Sequence, residues 1–174
     1  MGIDKNWETR DLIQPQHLFY IQMSIELVGN AATVVTIVMF LCPAPQAYRV
    51  FKEKCVAPNF NMLPYVTTGM TAMLWLRYAL LIHDGPMRNV NLVGSILEVL
   101  YSVIFFAYLD HGQASRKNMS ILVGAASFTI SVLLLVRFMD QKVAIATLGT
   151  IASGVNIVTF ASPLATLRTV VMYV

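Results

Sequence analysis

Charge is what this 174-residue chain has least of: only 12% of its residues are Asp, Glu, Lys or Arg, against about a quarter in soluble domains. A soluble globular domain is therefore not the default class. No basic run is longer than Arg116-Lys117 and the net charge is +3, too little to grip a phosphate backbone, so nucleic acid is excluded as a partner. Cysteine is nearly absent as well: Cys42 and Cys55 follow no metal or redox spacing and cannot build a disulfide framework. There is no phosphate-cradling glycine loop, no metal-ligand cluster and no nucleophile beside a base. These absences argue against an enzyme and give no reason to invoke a cofactor. The first sixteen residues, MGIDKNWETRDLIQPQ, lack the basic region, apolar run and small-residue cleavage site of a signal peptide. Asn6 stands where a myristoylation signal needs Ser or Thr. Residues 1–26 thus read as a polar N-terminal segment of the mature chain.

What is there is apolar. The chain is 57% hydrophobic with a mean hydropathy of +0.66, the profile of a multi-pass integral membrane protein. Charged residues act as punctuation. Residues 27–48, 55–76, 118–136 and 143–167 contain none, and 89–109 contains only Glu98. Each interval is long enough, at about 1.5 Å per helical residue, for a hydrocarbon layer of about 30 Å. The expectation is an all-α membrane protein of five spans. The stretch from His17 to Glu26 can extend the first span outward.

Lys and Arg set the orientation. Arg49, Lys52, Lys54, Arg116, Lys117 and Arg168 fall on one side, against Lys5, Arg10, Arg88, Arg137 and Lys142 on the other. Asp4, Glu8, Asp11, Asp84 and Asp140 cancel charge on the second side, which puts the N terminus outside, or in a lumen. Asn118-Met119-Ser120 is a glycosylation sequon that this topology places in the cytosol, so its glycosylation in cells would overturn the orientation.

The chain repeats itself. At an offset of 120, Gly29, Ala32, Val35, Ile37, Val38, Phe40, Pro43 and Val50 fall on Gly149, Ala152, Val155, Ile157, Val158, Phe160, Pro163 and Val170. The fifth span reads as a second copy of the first. Three spans lie between them, so both cross in the same direction. Parallel repeats are one of the building plans of secondary transporters. The expected organisation is a three-helix bundle over 27–110, a linker helix over 118–138 and the first helix of a second, incomplete bundle over 143–172, part of a three-plus-one-plus-three plan. The nearly featureless run from Ser120 to Val136 suits a linker that only returns the chain to its starting side.

Few residues in the spans can do chemistry. Pro43, Pro64 and Pro163 loosen or bend helices, and recurrence of Pro43 as Pro163 points to hinges. Pro45 reads equally well as a helix-end marker. Asn30, Asn91 and Asn156 must face protein, water or substrate, and taken singly each reads as interhelical glue before a ligand site. Asn156 has Thr36 as its repeat mate, which sets two hydrogen-bonding groups at matching depths. Glu98 can relay protons, bond a neighbouring helix or pair with Arg77; the structural roles are favoured. Trp75, Tyr78 and Tyr101 can form an interfacial belt or stack on an apolar ring face.

Several of these residues stand in a specific order. Phe40-Leu41-Cys42-Pro43 is followed by Arg49, then Pro64-Tyr65, then Trp75-Leu76-Arg77-Tyr78. Val90-Asn91-Leu92-Val93-Gly94 leads to Leu97-Glu98 and Tyr101, and the fifth span carries Phe160-Ala161-Ser162-Pro163-Leu164. From about Gly29 to Val171 the chain resembles the SWEET family of sugar transporters, which itself exemplifies parallel repeats. The resemblance implies a facilitative, bidirectional carrier of mono- or disaccharides in the plasma or Golgi membrane, working by alternating access. It makes Asn91 a pocket asparagine, Pro43, Pro64 and Pro163 three of four hinge prolines, and Tyr78 an outer-gate aromatic. Trp75 stands where a smaller residue often faces the pocket, which narrows it toward a monosaccharide. Cys42 and Ala79 replace the small polar residue and the glycine usual at those positions. The family has seven helices, whereas this sequence stops just after the fifth, so the second bundle's pocket residues lie outside it. Two other readings follow: a shortened, non-transporting form that associates with full-length relatives or with itself, and an amino-acid carrier of the PQ-loop type, suggested by Pro45-Gln46.

Overall fold

The computed structural model describes the backbone of residues 15–57, 60–109 and 113–172 and the side chains of 19–57, 60–109 and 115–159. Those residues form six helices and no strand: α1 Pro15–Leu41, α2 Ala44–Glu53, α3 Leu63–Ile82, α4 Gly85–Ala107, α5 Gln113–Arg137 and α6 Gln141–Met172.

Proline and asparagine chemistry sets the breaks. Pro43 cannot continue α1, so the chain turns at Cys42-Pro43 and restarts as α2, with Pro43 at its N-cap. The interval 27–48 is therefore not one helix. Its N-terminal end differs too, because α1 begins at Pro15, inside the segment expected to precede the span. Lys54 closes α2 in the left-handed conformation at φ 57°. The second interval, 55–76, is displaced: α3 starts at Leu63 and runs through Arg77 to Ile82. The loop before it happens to carry no charge, and Arg77 is half-buried within the helix, so charge-free spacing misplaced both ends. His83, again left-handed, ends α3, and the Asp84 side chain accepts from the Met87 N–H at 2.8 Å to cap α4.

Contacts fix the directions. Gly69 of α3 lies against Glu98 of α4, and Tyr65 lies against Phe105, so these helices are antiparallel. Asn118 near the start of α5 bonds the start of α3, whereas Gln141 at the start of α6 donates to Leu81 O near the end of α3, at 3.1 Å. Hence α5 runs with α3 and α6 against it. Phe40 of α1 meets Gly94 of α4, and Val50 of α2 joins the cluster holding Phe105, so the first helix runs with α4. The two repeat copies, α1 and α6, are thus parallel.

Among the described residues, four stretches are long and apolar enough to cross a membrane: Phe19–Glu53, Gly85–Ala107, Ser115–Arg137 and Gln141–Thr159. The exception, α3, carries Pro64, Thr67, Thr68, Thr71 and Arg77, and it is packed against α4, α5 and α6. A helix surrounded by protein does not need the apolarity of one facing lipid. Outward on the other helices stand Val34, Val38, Ile96, Val103, Ile130 and Leu134, all exposed. That surface needs hydrocarbon or another protein to cover it.

Candidate functional site

Two packed regions hold the residues singled out from the sequence. In the first, Phe40 of α1, Ala72 of α3 and Val90 of α4 form a small core with Ile37 and Leu97 against it. Gly94 makes it possible: a Cβ built there would run into the Phe40 ring, so the glycine admits it. Thr36 and Asn91 flank this core in sequence, each half-buried. Thr36 Oγ1 donates to Ala32 O at 2.8 Å, and Asn91 Nδ2 donates to Met87 O at 2.8 Å. Both bonds are within one helix. The Asn91 side chain keeps its carbonyl oxygen and one N–H for an incoming group.

The second region joins α3 to α6. Leu74, Val132, Val136, Ala144, Leu148 and Ala152 are buried together, with Trp75 and Tyr78 packed against them. The Trp75 and Tyr78 rings meet edge to face, centroids 5.3 Å apart. Tyr78 lies on Gly149, where an added Cβ would be 3.1 Å from Tyr78 Cε2. Asn156 sits one turn beyond Ala152 on α6, half-buried. The structure thus brings Trp75 and Tyr78 together against α6, while Asn91 and Thr36 adjoin the α1–α4 contact. No side-chain hydrogen bond links these two groups among the described residues.

The hinge candidates fall in unlike places. Pro43 sits at the break between α1 and α2. Pro64 lies in the first turn of α3, where its missing N–H removes no intrahelical bond; Thr67 and Thr68 hydroxyls donate to its carbonyl at 3.1 and 2.8 Å. Pro163 lies within the range of α6, but its side chain is outside the described residues.

Three interhelical locks were not legible as such. Asn118, only 1% exposed, accepts from Met62 N–H at 3.1 Å and donates to Phe60 O at 3.3 Å, pinning the α2–α3 loop to α5. Its amide is engaged at both ends, so α5 also anchors the start of α3. Its one signal was a polar residue opening an apolar run. Gln46 of the Pro45-Gln46 pair accepts from Tyr65 OH at 2.9 Å, which gives that glutamine a structural partner. Lys54 Nζ donates to Tyr108 OH at 2.7 Å and lies 3.9 Å from the Phe51 ring centroid, tying α2 to the end of α4. Glu98 does not pair with Arg77: Gly69 stands opposite it, about 12 Å along α3 from Arg77.

Comparison with known proteins matches this arrangement. The family model described as "Sugar efflux transporter for intercellular exchange" matches residues 26–113, just over half of the chain. The bidirectional sugar transporter SWEET12 of Oryza sativa subsp. japonica is 30% identical over 156 residues, covering 87% of this chain and 51% of that protein. SWEET11 of Arabidopsis thaliana, also a bidirectional sugar transporter, is 32% identical over 148 residues, covering 83% and 50%. This chain therefore spans about half the length of the curated relatives it matches. A solved eukaryotic SWEET transporter superposes with a TM-score of 0.74 at 26% identity, over 87% of this chain and 72% of that one. With a matching family model and the same helical arrangement, the chain belongs to the SWEET family of multi-pass integral membrane proteins.

Proposed function

We propose that this chain forms one bundle, the linker and the opening helix of a facilitative sugar carrier, which moves mono- or disaccharides in either direction by alternating access. The observation that carries the reading is the match to sugar efflux transporters over residues 26–113, the segment that holds Asn91, Trp75 and Tyr78. Asn91 offers a carbonyl and an N–H to sugar hydroxyls, Trp75 offers a ring face to the sugar's apolar side, and Thr36 and Asn156 add hydrogen-bonding groups from the two repeat copies. Trp75 favours a monosaccharide by its bulk. Tyr78 gates the α3–α6 end, and Pro43, Pro64 and Pro163 are the hinges. The plasma or Golgi membrane is the site of action. Glucose flux into liposomes containing the full chain tests this. Uptake is expected for the wild type and loss for Asn91→Ala; no flux through correctly inserted wild type overturns it.

A second reading is supported by α1. Gly29 has nothing within 4 Å, whereas its repeat mate Gly149 is covered by Tyr78. The bare face accommodates a helix of another chain, either a second copy or a full-length relative whose flux the association modulates. Co-purification separates the two, and a strictly monomeric chain that leaves a co-expressed relative's flux unchanged rules this reading out. The amino-acid alternative has less support, since Gln46 is engaged by Tyr65.

A further inference from the structure

Glu98 is the one charged-type side chain buried among the described residues, 3% exposed, and its Oε2 has no hydrogen-bond partner there. It belongs to none of the contacts that hold α1 or α6. A carboxyl group inside a membrane span is kept only where something repays its desolvation. Gly69 explains how it fits: an added Cβ would stand 3.1 Å from Glu98 Cβ, so the glycine gives the side chain its place between α3 and α4. Glu98 also stands in a cavity wall. A cavity of about 530 Å3 opens between α3, α4 and α5, with Glu98 and Ser102 from α4, Gly69 and Met73 from α3, and Ala126 and Leu133 from α5 in its wall. Nothing from α1 or α6 contributes to it, and neither do Asn91, Trp75, Thr36 or Asn156.

We infer that this cavity binds a membrane-dissolved apolar alcohol of sterol type, a single hydroxyl on a rigid hydrocarbon body, with the hydroxyl donating to the Glu98 carboxyl. Each part of the description has a cause. The volume falls within the range of about 300–1,000 Å3 typical of small-molecule sites. Two wall hydroxyls are occupied, Thr129 Oγ1 donating to Ala125 O at 2.8 Å and Tyr65 OH to Gln46, while Ser102 stands in the wall beside Glu98 and the buried Tyr101 OH has no partner either. The free polar groups of the wall are thus gathered at Glu98 and Ser102, one turn apart on α4, and the remaining wall is almost wholly apolar. A sugar, with a hydroxyl on nearly every carbon, would leave most of them unpaired in such a wall. A phospholipid head cannot supply that donor, because Glu98 lies about 14 Å along α4 from Ala107, and a charged head does not leave the interface for the middle of a span. Met70 and Met73 supply adaptable surface against a ring system.

The test is photolabelling of the full chain in bilayers with a clickable diazirine cholesterol, followed by peptide mapping. Label is expected on α5 between Leu122 and Leu133 or on α4 between Val99 and Ala107, competed by unlabelled cholesterol. Ala126→Phe, a substitution at an exposed position that fills the cavity, should abolish it. Glu98→Leu and, with wild type, the 3-keto analogue of the probe should each weaken competition at least about tenfold, the worth of a hydrogen bond to a carboxyl. Equal labelling by hydroxyl and keto probes, or label spread evenly over the lipid-facing helices, overturns the proposal. So does loss of label when a full-length relative is bound, since a helix then fills the gap. Sugar flux plays no part in the readout, so the site stands or falls apart from the transport reading.

Discussion

Two helices of one repeat, α1 and α6, share a sequence pattern and live in opposite surroundings. On α6 the face made by Ala144, Leu148 and Ala152 is buried, with Leu148 at 0% exposure. The matching face of α1 is Ser24, Val28 and Ala32, and Val28 is 68% exposed. Gly149 receives Tyr78 and Gly29 receives nothing. The pattern therefore encodes a docking face, and α3 occupies it on one copy alone. In a parallel repeat the counterpart of α3 in a second bundle would occupy the other. Among the described residues of α1, Phe40 alone is buried, seated on Gly94 with Ala72 and Val90 around it.

The strongest way to break this contrast is at that anchor. Gly94→Val would drive a side chain into the Phe40 ring, and overpacking of this kind costs about 3 kcal/mol, the upper part of its usual range. Because no other described side chain of α1 is buried, the expected outcome is separation of α1 from α4, read as rapid proteolysis near the Cys42-Pro43 break. Phe40→Ala in the same chain should restore protection. A Gly94→Val protein as resistant as wild type would show that α1 is held by more than one ring.

Next in size are paired truncations on the two faces. Leu148→Ala should lower stability by about 2 kcal/mol, the low end for a buried leucine because lipid tails replace part of the transfer term. Val28→Ala, at the equivalent position of α1, should change it by less than about 0.5 kcal/mol. Denaturant titration in detergent micelles measures both. Equal effects would mean that α1 is as well packed as α6 and would end the comparison.

How much of this was legible before the fold is set by range along the chain. Intervals between charges located α4 and α5 to within about five residues, because both helices expose much of their length and each end is marked by polar residues. They misplaced α3, where an uncharged loop precedes the helix and Arg77 lies inside it. The offset of 120 was readable since it compares residues with residues. The pairing of Gly149 with Tyr78 was not, because nothing local to either says which helix will arrive. Asn91 and Trp75 could be named from their order along the chain, but their separation into two packed regions required the contacts of α3 with α6. The cavity beside Glu98 left no trace at all, since an unfilled gap has no residues of its own.

A smaller effect is expected at Asn118, which belongs to neither repeat copy. Asn118→Ala removes both bonds to the α2–α3 loop and leaves Met62 N–H and Phe60 O without that partner, a loss of about 1–2 kcal/mol. Hydrogen exchange at Met62 should quicken while Gly149 stays protected. That outcome would show that α5 holds the start of α3 without help from α6; a matching loss at Gly149 would join the two into one unit.

The smallest effect sharpens the comparison most, because its sign depends on what covers α1. Replacing a helical glycine by alanine gains about 0.5–1 kcal/mol where the methyl meets no obstacle. Gly29 meets none in the single chain, so Gly29→Ala should stabilise the isolated protein slightly. Gly149→Ala places its Cβ 3.1 Å from Tyr78 Cε2, tight enough to cancel the gain. If a second copy or a full-length relative lays an aromatic on Gly29 as Tyr78 lies on Gly149, the alanine at 29 will weaken that association while leaving the lone chain no less stable. Measuring both quantities on the same variant, melting temperature alone and affinity for the relative, separates a helix that faces lipid from one that waits for a partner. Gain in stability with unchanged affinity assigns the α1 face to lipid, and gain in stability with reduced affinity assigns it to a partner helix.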